Sequence, residues 1–215
     1  MGILSNLFKH EETATTTNNV APSSTPVAST GILNLNKGDV LDLTKSNPNL
    51  TKVHAAAGWD VAAHGEDYDL DLCAYLLNSK GDVVHTVYYA DKDYDGIFLD
   101  KDNLTGEGDG DDENIHVILD KLPVKITRII FGVVIYEAKH RGQKFDKVKN
   151  AYVRLCNEAD HDKEICRYQI TENGGDNTAI EVASLNKDSN NHWSFQAIGT
   201  YSKDSISSLG KKVGK

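Results

Sequence analysis

Short runs of alternating hydrophobic and polar residues, separated by turns rich in Asp, Asn and Gly, fill the chain from residue 32 to residue 200. Such runs predict β-strands at 32–35, 40–43, 51–59, 68–77, 82–90, 114–120, 126–136, 150–157, 164–171, 178–185 and 192–200. The run 126–136 is rich in β-branched residues, which favours a central strand. Many short strands without long helices between them predict an all-β protein, an antiparallel β-sandwich with one or two short helices.

Turn composition adds local detail to this prediction. Residues 36–39, Asn-Lys-Gly-Asp, lie between the first two strands and predict that these strands form a hairpin. Residues 143–149 are expected to form a helical turn or an irregular bridge. The basic end, 202–215, has room for one short helix.

The first thirty residues differ from the rest in composition. Residues 1–10 predict a short amphipathic segment, which would either dock on a partner or a membrane surface or form a frayed end. Residues 11–30 are rich in Thr, Ser, Asn, Ala and Pro and predict a disordered linker. The sandwich domain is therefore expected at 31–200, followed by a basic tail at 201–215.

Composition and charge narrow the classes of function. The formal net charge of −9 opposes binding to nucleic acid, which attracts proteins through neutralisation of its phosphates. Met1 to Lys9 lack the hydrophobic length of a secretory signal, so cytoplasmic residence is expected, with peripheral attachment to the inner face of the membrane as the alternative. Cys73, Cys156 and Cys166 are odd in number and lack C-x-x-C spacing, which predicts buried, reduced thiols.

Asp100 to Glu113, hereafter the acidic stretch, is the strongest candidate for chemistry. It carries seven carboxylates against one lysine, together with three glycines that disfavour a helix. So much negative charge is repulsive unless water, salt or a bound cation neutralises it. Calcium takes about 6–8 oxygen ligands in irregular geometry, whereas magnesium demands a nearly octahedral shell. Ca²⁺ is therefore the expected ion.

Two further groups of acids lie near this stretch. Asp69 and Asp71 are two residues apart in a predicted strand, so their side chains share a face, either as an exposed polar face or as support for the metal. Asp91, Asp93 and Asp95 precede a glycine with the spacing of a helix-flanked calcium loop, although their flanks look like strands. They predict either a second or shared calcium site or the solvated tip of an acidic hairpin.

The remaining candidates carry little sign of catalysis. The eight histidines form no H-x-x-x-H or His/Cys cluster suited to zinc, and no nucleophile elbow, Walker loop or dinucleotide fingerprint appears. His85 and His116 are expected to be surface or half-buried strand residues. Trp59 and Trp193 are expected in the core. Arg154 would either pair with an acid at the site or lie on a sheet face.

Several motifs together carry a family resemblance over residues 31–200. They are G-W-D at 58–60, Y-D-L-D at 68–71, T-G-E-G-D-G-D-D-E at 105–113, N-A-Y-V-R-L at 150–155 and W-S-F at 193–195. In these the chain resembles the TerD family of tellurium-resistance and stress proteins. The resemblance implies a cytoplasmic, calcium-binding β-sandwich without established catalytic activity. The ligands it implies are Asp102, Asn103, Asp109, Asp111, Asp112 and Glu113 in the acidic stretch, with Asp60, Asp69 and Asp71 from neighbouring strand ends.

The resulting hypothesis is a calcium-binding, noncatalytic stress-response protein that acts through a metal-ordered acidic loop and through other stress-response proteins as partners. The alternatives are a calcium-dependent adaptor at the membrane surface, anchored by residues 1–10, and a metal-dependent hydrolase. The hydrolase is weaker because the sequence offers no nucleophile–base pair.

Overall fold

The structure, a computed structural model, describes residues 32–60, 68–100, 110–170 and 174–214, and the backbone of strand β7 as far as Lys101. Within these ranges the chain forms strands β1 (Leu33–Leu35), β2 (Val40–Asp42), β3 (Lys52–Asp60), β4 (Leu70–Asn78), β5 (Val83–Val87), β6 (Asp93–Tyr94), β7 (Ile97–Lys101), β8 (Glu113–Ile118), β9 (Ile126–Ile135), β10 (Lys149–Asn157), β11 (Lys163–Gln169), β12 (Ala179–Lys187) and β13 (Trp193–Ser202).

The strands form two sheets. Sheet A has the order β1-β11-β10-β3-β8-β7-β6, and sheet B has the order β2-β13-β12-β9-β4-β5. Every pairing between described strands is antiparallel except that of β1 with β11. The predicted antiparallel β-sandwich is confirmed, and β9 lies inside sheet B as expected for a central strand.

Alternation along the strands builds the core between the sheets. In β3, Val53 and Ala55 face the core, and in β8 Ile115 and Val117 do the same. Their neighbours His54 and His116 are therefore on the outer face of sheet A, since successive side chains of a strand point to opposite faces. Trp59 and Trp193 are buried, as predicted. The three cysteines are free and buried, which is also as predicted.

The predicted hairpin of the first two strands is wrong. β1 pairs in parallel with β11 of sheet A, whereas β2 pairs with β13 of sheet B. The turn between them has the expected composition and closes by a hydrogen bond from the N–H of Asp39 to the carbonyl of Asn36. The local sequence therefore determines the turn but not the pairing. The two strands on either side of the turn lie at the edges of two different sheets.

Three short α-helices occur in the described ranges, against the one or two expected. They are α1 (Leu43–Ser46), α2 (Ala138–Arg141) and α3 (Ile206–Val213), with 3-10 turns at Phe145–Lys147 and Glu158–Asp160. α1 and α2 are single turns. None of the described helices is long and apolar enough to cross a membrane.

Helix α3 covers the outer face of sheet B. Its Leu209 is fully buried in a cluster with Cys73, Tyr75 and Ile130. A Cβ on Gly132 would lie 3.0 Å from Leu209 Cδ2, so the glycine lets the helix approach the sheet closely. Ser205 and Ser208 form a reciprocal capping box at the helix start. The short helix expected within 202–215 is therefore present at Ile206–Val213, and it docks on sheet B.

Candidate metal sites

Four strand ends meet beside the end of the acidic stretch. β3 ends at Asp60, and Asp60 pairs with Lys149 at the start of β10. β8 starts at Glu113, which pairs with Ala57 of β3. Glu113 also reaches β4 in the other sheet, where its Oε2 accepts the N–H of Leu72 at 2.5 Å. We call this end of the sandwich the acidic end.

Asp112 and Glu113 fix the acidic stretch to both sheets. Oδ2 of Asp112 accepts the N–H of Trp59 at 3.0 Å, and the N–H of Asp112 donates to the carbonyl of Ala57 at 2.9 Å. Asp112 is only 3% exposed and Glu113 only 1%. A carboxylate that deep in a protein needs hydrogen bonds, a counter-charge or a metal to offset its lost hydration. Both residues were predicted as ligands from the sequence, but their burial was not predicted.

Asp111 is held by an arginine on the outer face of sheet A. Arg154 Nε donates to Asp111 Oδ1 at 2.8 Å, and Arg154 Nη2 donates to Oδ2 at 2.5 Å. Tyr152 donates its hydroxyl to Oδ1 at 2.9 Å. Burial acts to raise the pKa of Asp111, but the hydrogen bonds and the guanidinium charge outweigh it and hold that pKa below its ordinary value. Of the two expectations for Arg154, pairing with an acid is the one observed.

The strand-end acids differ in their surroundings. Asp60 is exposed, and its Oδ2 accepts from Asn150 Nδ2 at 2.5 Å. Asp69 and Asp71 are both buried, so the alternative of an exposed polar face does not hold. Asp69 Oδ2 lies 3.7 Å from Nη2 of Arg141. Among the described residues, these acids do not bring three ligand oxygens within 4.8 Å of one another.

The acids at 91–95 lie on an exposed hairpin of sheet A. Asp91 forms an isolated bridge with Tyr88, and β6 turns into β7 at Gly96, whose φ is +82°. The flanks are strands, as expected, and the side chains of Asp91, Asp93 and Asp95 are exposed. Asp91 Oδ2 lies 3.3 Å from Nε2 of the half-buried His85. A second calcium site at this hairpin stays a prediction.

Several predicted features lie outside the described residues. They are the ligands Asp102, Asn103 and Asp109, the N-terminal segment 1–10 and the linker 11–30. Calcium ligation by the first group and membrane docking by the second therefore stay predictions.

The candidate ligand atoms among the described residues are of the type that calcium binds. Asp112 and Glu113 supply carboxylate oxygens and follow shortly after residues 102–109, the part of the acidic stretch that lies outside the described residues. Calcium prefers oxygen ligands to nitrogen or sulfur ligands. Asp111 fits less well, because both of its oxygens are engaged by Arg154.

One cluster was missed in the sequence. His54, His116 and Glu158 lie together on the outer face of sheet A, with ligand atoms within 4.8 Å of one another. Burial lowers the pKa of His54, and His116 beside it lowers that pKa further, which favours the neutral imidazole. The three residues are 62 and 42 positions apart in sequence, so spacing alone could not reveal them. The one available signal was that both histidines lie in predicted strands.

Known proteins resemble this chain over most of its length. Residues 32–212 match the TerD domain. General stress protein 16U of Bacillus subtilis (strain 168) is 36% identical over 189 residues, covering 85% of this chain and 97% of that protein. Tellurium resistance protein TerD of Serratia marcescens is 36% identical over 188 residues, covering 85% of this chain and 97% of its own length.

A solved structure has the same fold. The crystal structure of a homologue of the telluride resistance protein TerD, from Streptomyces coelicolor A3(2), superposes with a TM-score of 0.64 at 23% identity, covering 78% of this chain and 99% of that one. The predicted family is therefore confirmed, and the chain belongs to the TerD family, whose named members include stress and tellurium-resistance proteins.

Proposed function

We propose that this protein binds calcium through the acidic stretch and acts without catalysis, as a cytoplasmic stress-response protein whose metal-ordered loop contacts other stress-response proteins. The ligands would come from Asp102, Asn103 and Asp109, completed by Asp112 and Glu113. The names of its relatives, general stress and tellurium resistance, support the physiological part of this proposal.

The observation that carries the proposal is the anchoring of Asp112 and Glu113. Each carboxylate accepts a backbone N–H, from Trp59 in sheet A and from Leu72 in sheet B respectively. A cation bound just before these residues would add its charge where buried carboxylates concentrate, and would thereby fix the loop relative to both sheets. The role of the metal in this proposal is structural, since it neutralises and orders the loop.

The arrangement favours binding over acid–base chemistry. General acids and bases usually have an apolar pocket that moves their pKa towards neutrality. Asp111 has the opposite environment, because Arg154 and Tyr152 stabilise its charged form. Asp111 is thus held as a fixed negative charge rather than as a proton donor or acceptor.

Isothermal titration calorimetry with Ca²⁺ on the chelator-treated full chain tests the proposal. We expect wild-type protein to bind Ca²⁺ in the micromolar-to-millimolar range, and Asp109→Ala to bind at least about tenfold more weakly. Ca²⁺ should also raise the midpoint of thermal unfolding of the wild type, because it binds the native state.

Asp188→Asn is the matched control. Asp188 is an exposed acid in a turn between β12 and β13, far along the chain from the acidic stretch, and it should bind Ca²⁺ as the wild type does. A wild-type protein that shows neither heat of binding nor a thermal shift with millimolar Ca²⁺ would refute the proposal.

A further inference from the structure

A second donor cluster lies on the outer face of sheet A, where β3, β8 and the turn after β10 come together. His54 in β3 pairs directly with His116 in β8, so the two imidazoles stand side by side on one face. Glu158 follows β10 in a 3-10 turn that contacts β3. Three separate elements of the chain thus present one side chain each to a common point.

The donor atoms are close enough to share an ion. Nδ1 of His116 is in hydrogen-bond contact with Oε1 of Glu158. Nδ1 of His54 lies 3.8 Å from the same oxygen and 3.6 Å from Oδ1 of Asp162. Zinc bonds of about 2.0–2.2 Å in a tetrahedral site keep the donors roughly 3.3 Å apart. Small side-chain rotations therefore suffice to bring these atoms to metal-binding distance.

The His54 nitrogen that faces this point has no hydrogen bond. The residue is 7% exposed, and its Nδ1 is buried without a hydrogen-bond partner among the described residues. Its nearest carboxylate oxygens, at 3.6 and 3.8 Å, are too distant for one. A buried polar atom without a partner is costly and uncommon. An ion between His54 and the carboxylates would satisfy this nitrogen.

The neighbours supply charge and orientation. Lys52 contacts Oε2 of Glu158, which leaves Oε1 towards the imidazoles. Asp100 Oδ2 lies 2.8 Å from the other ring nitrogen of His116. A carboxylate beside the outer nitrogen of a ligating histidine is a common way to orient the ring. The carboxylates of Glu158, Asp162 and Asp100 outnumber the one ammonium of Lys52, which favours a divalent cation at this point. Arg154, which also acts on His54, is already paired with Asp111 and Glu164.

We propose that His54, His116 and Glu158 form a binding site for a zinc-type divalent cation, with Asp162 as the fourth ligand. Two imidazole nitrogens select zinc and similar transition metals over calcium, which prefers oxygen. Its four proposed ligands are different from those of the calcium site proposed at the acidic end, although Asp100 beside His116 belongs to the acidic stretch. It adds a second metal chemistry to the same domain.

Calorimetric titration of the full chain with Zn²⁺, in excess Ca²⁺ to occupy the acidic stretch, tests the site. We expect one Zn²⁺ per chain at micromolar affinity or tighter, and at least a tenfold loss of affinity in His116→Gln and in Glu158→Gln. Glu158 lies in a turn outside the sheets, so its variant tests the site even if His116→Gln disturbs folding. Co²⁺ should give the visible absorption bands of a nitrogen-containing tetrahedral site in the wild type and lose them in both variants.

His192→Gln is the matched control. His192 is an exposed histidine 3.6 Å from Oδ2 of Asp188, so it offers a His–Asp pair without the third donor. Its variant should bind Zn²⁺ as the wild type does. If the wild type binds no Zn²⁺, or if His116→Gln and Glu158→Gln bind it unchanged, the proposal is wrong and the cluster is a network of ion pairs only.

Discussion

Glu113 in sheet A holds the backbone of Leu72 in sheet B, since its Oε2 accepts the Leu72 N–H at 2.5 Å. The register of β4 with β5 stops at Ala74, two residues further along, so Leu72 lies beyond that pairing. The carboxylate takes the place of a neighbouring strand there. One side chain thus links the two layers of the sandwich where the acidic stretch ends.

Removal of this link should destabilise the domain. In Glu113→Ala the buried Leu72 N–H loses its acceptor, at an expected cost of about 1–3 kcal/mol in the free energy of unfolding. Urea denaturation in chelator measures this loss without a contribution from bound metal. Glu113→Gln keeps an oxygen acceptor and should lose less. A Glu113→Ala protein as stable as the wild type would show that the bond contributes nothing.

The Asp111–Arg154 pair should make the free energy of unfolding depend on pH. Because the pKa of Asp111 is lowered in the folded state, its contribution is fully present above the ordinary carboxyl value of 3.8 and is lost as pH falls through the lower folded pKa. The difference in stability between wild type and Asp111→Asn, from urea denaturation at pH 7 down to pH 3, should therefore shrink below about pH 4. Asp120→Asn, a change at an exposed carboxylate, serves as the control. If the difference in stability between wild type and Asp111→Asn is constant from pH 7 to pH 3, the prediction is wrong.

Gly58 should not tolerate a side chain. A Cβ at this position would lie 2.4 Å from Cζ and Oη of Tyr152, whose hydroxyl bonds Asp111. Gly58→Ala should cost about 1–3 kcal/mol, as overpacking usually does. In a Tyr152→Ala background the same substitution should cost clearly less, and a double-mutant cycle by chemical denaturation measures the difference. Equal costs in both backgrounds would mean that the ring is not the obstacle.

Helix α3 should contribute to stability through Leu209. Leu209→Ala leaves a cavity over Cys73 and Tyr75 and should cost about 2–5 kcal/mol. Lys211→Ala, an exposed change in the same helix, should stay within about 0.5 kcal/mol of the wild type. Urea denaturation of both variants checks this. A mild effect of Leu209→Ala would indicate that the helix is only loosely attached.

Alternation in the sequence was enough to predict most strands and the sandwich, because burial of one face fixes a period of two. It failed at residues 32–43, where the pattern identified two strands and a turn but carried no information about their partners. It also left open whether Asp69 and Asp71 were exposed. Their burial follows from neighbours far along the chain, such as Arg141 beside Asp69.

The candidate sites divide in the same way. The acidic stretch was visible because its charges are contiguous in sequence. The cluster of His54, His116 and Glu158 was invisible because it depends on the register of β3 with β8 and on the position of the turn after β10. Sequence composition reports local charge, whereas a site assembled across strands requires their register.

The separate pairing of β1 and β2 has a consequence for biosynthesis. Leu33 pairs with Cys166 and Leu41 with Phe195, so strands made early in translation wait for partners more than 130 residues downstream. Domains of this kind gain few local contacts before their distant pairs close. Nearly the whole domain must therefore leave the ribosome before β1 and β2 can pair, and until then these two strands are themselves open to pairing with other nascent chains.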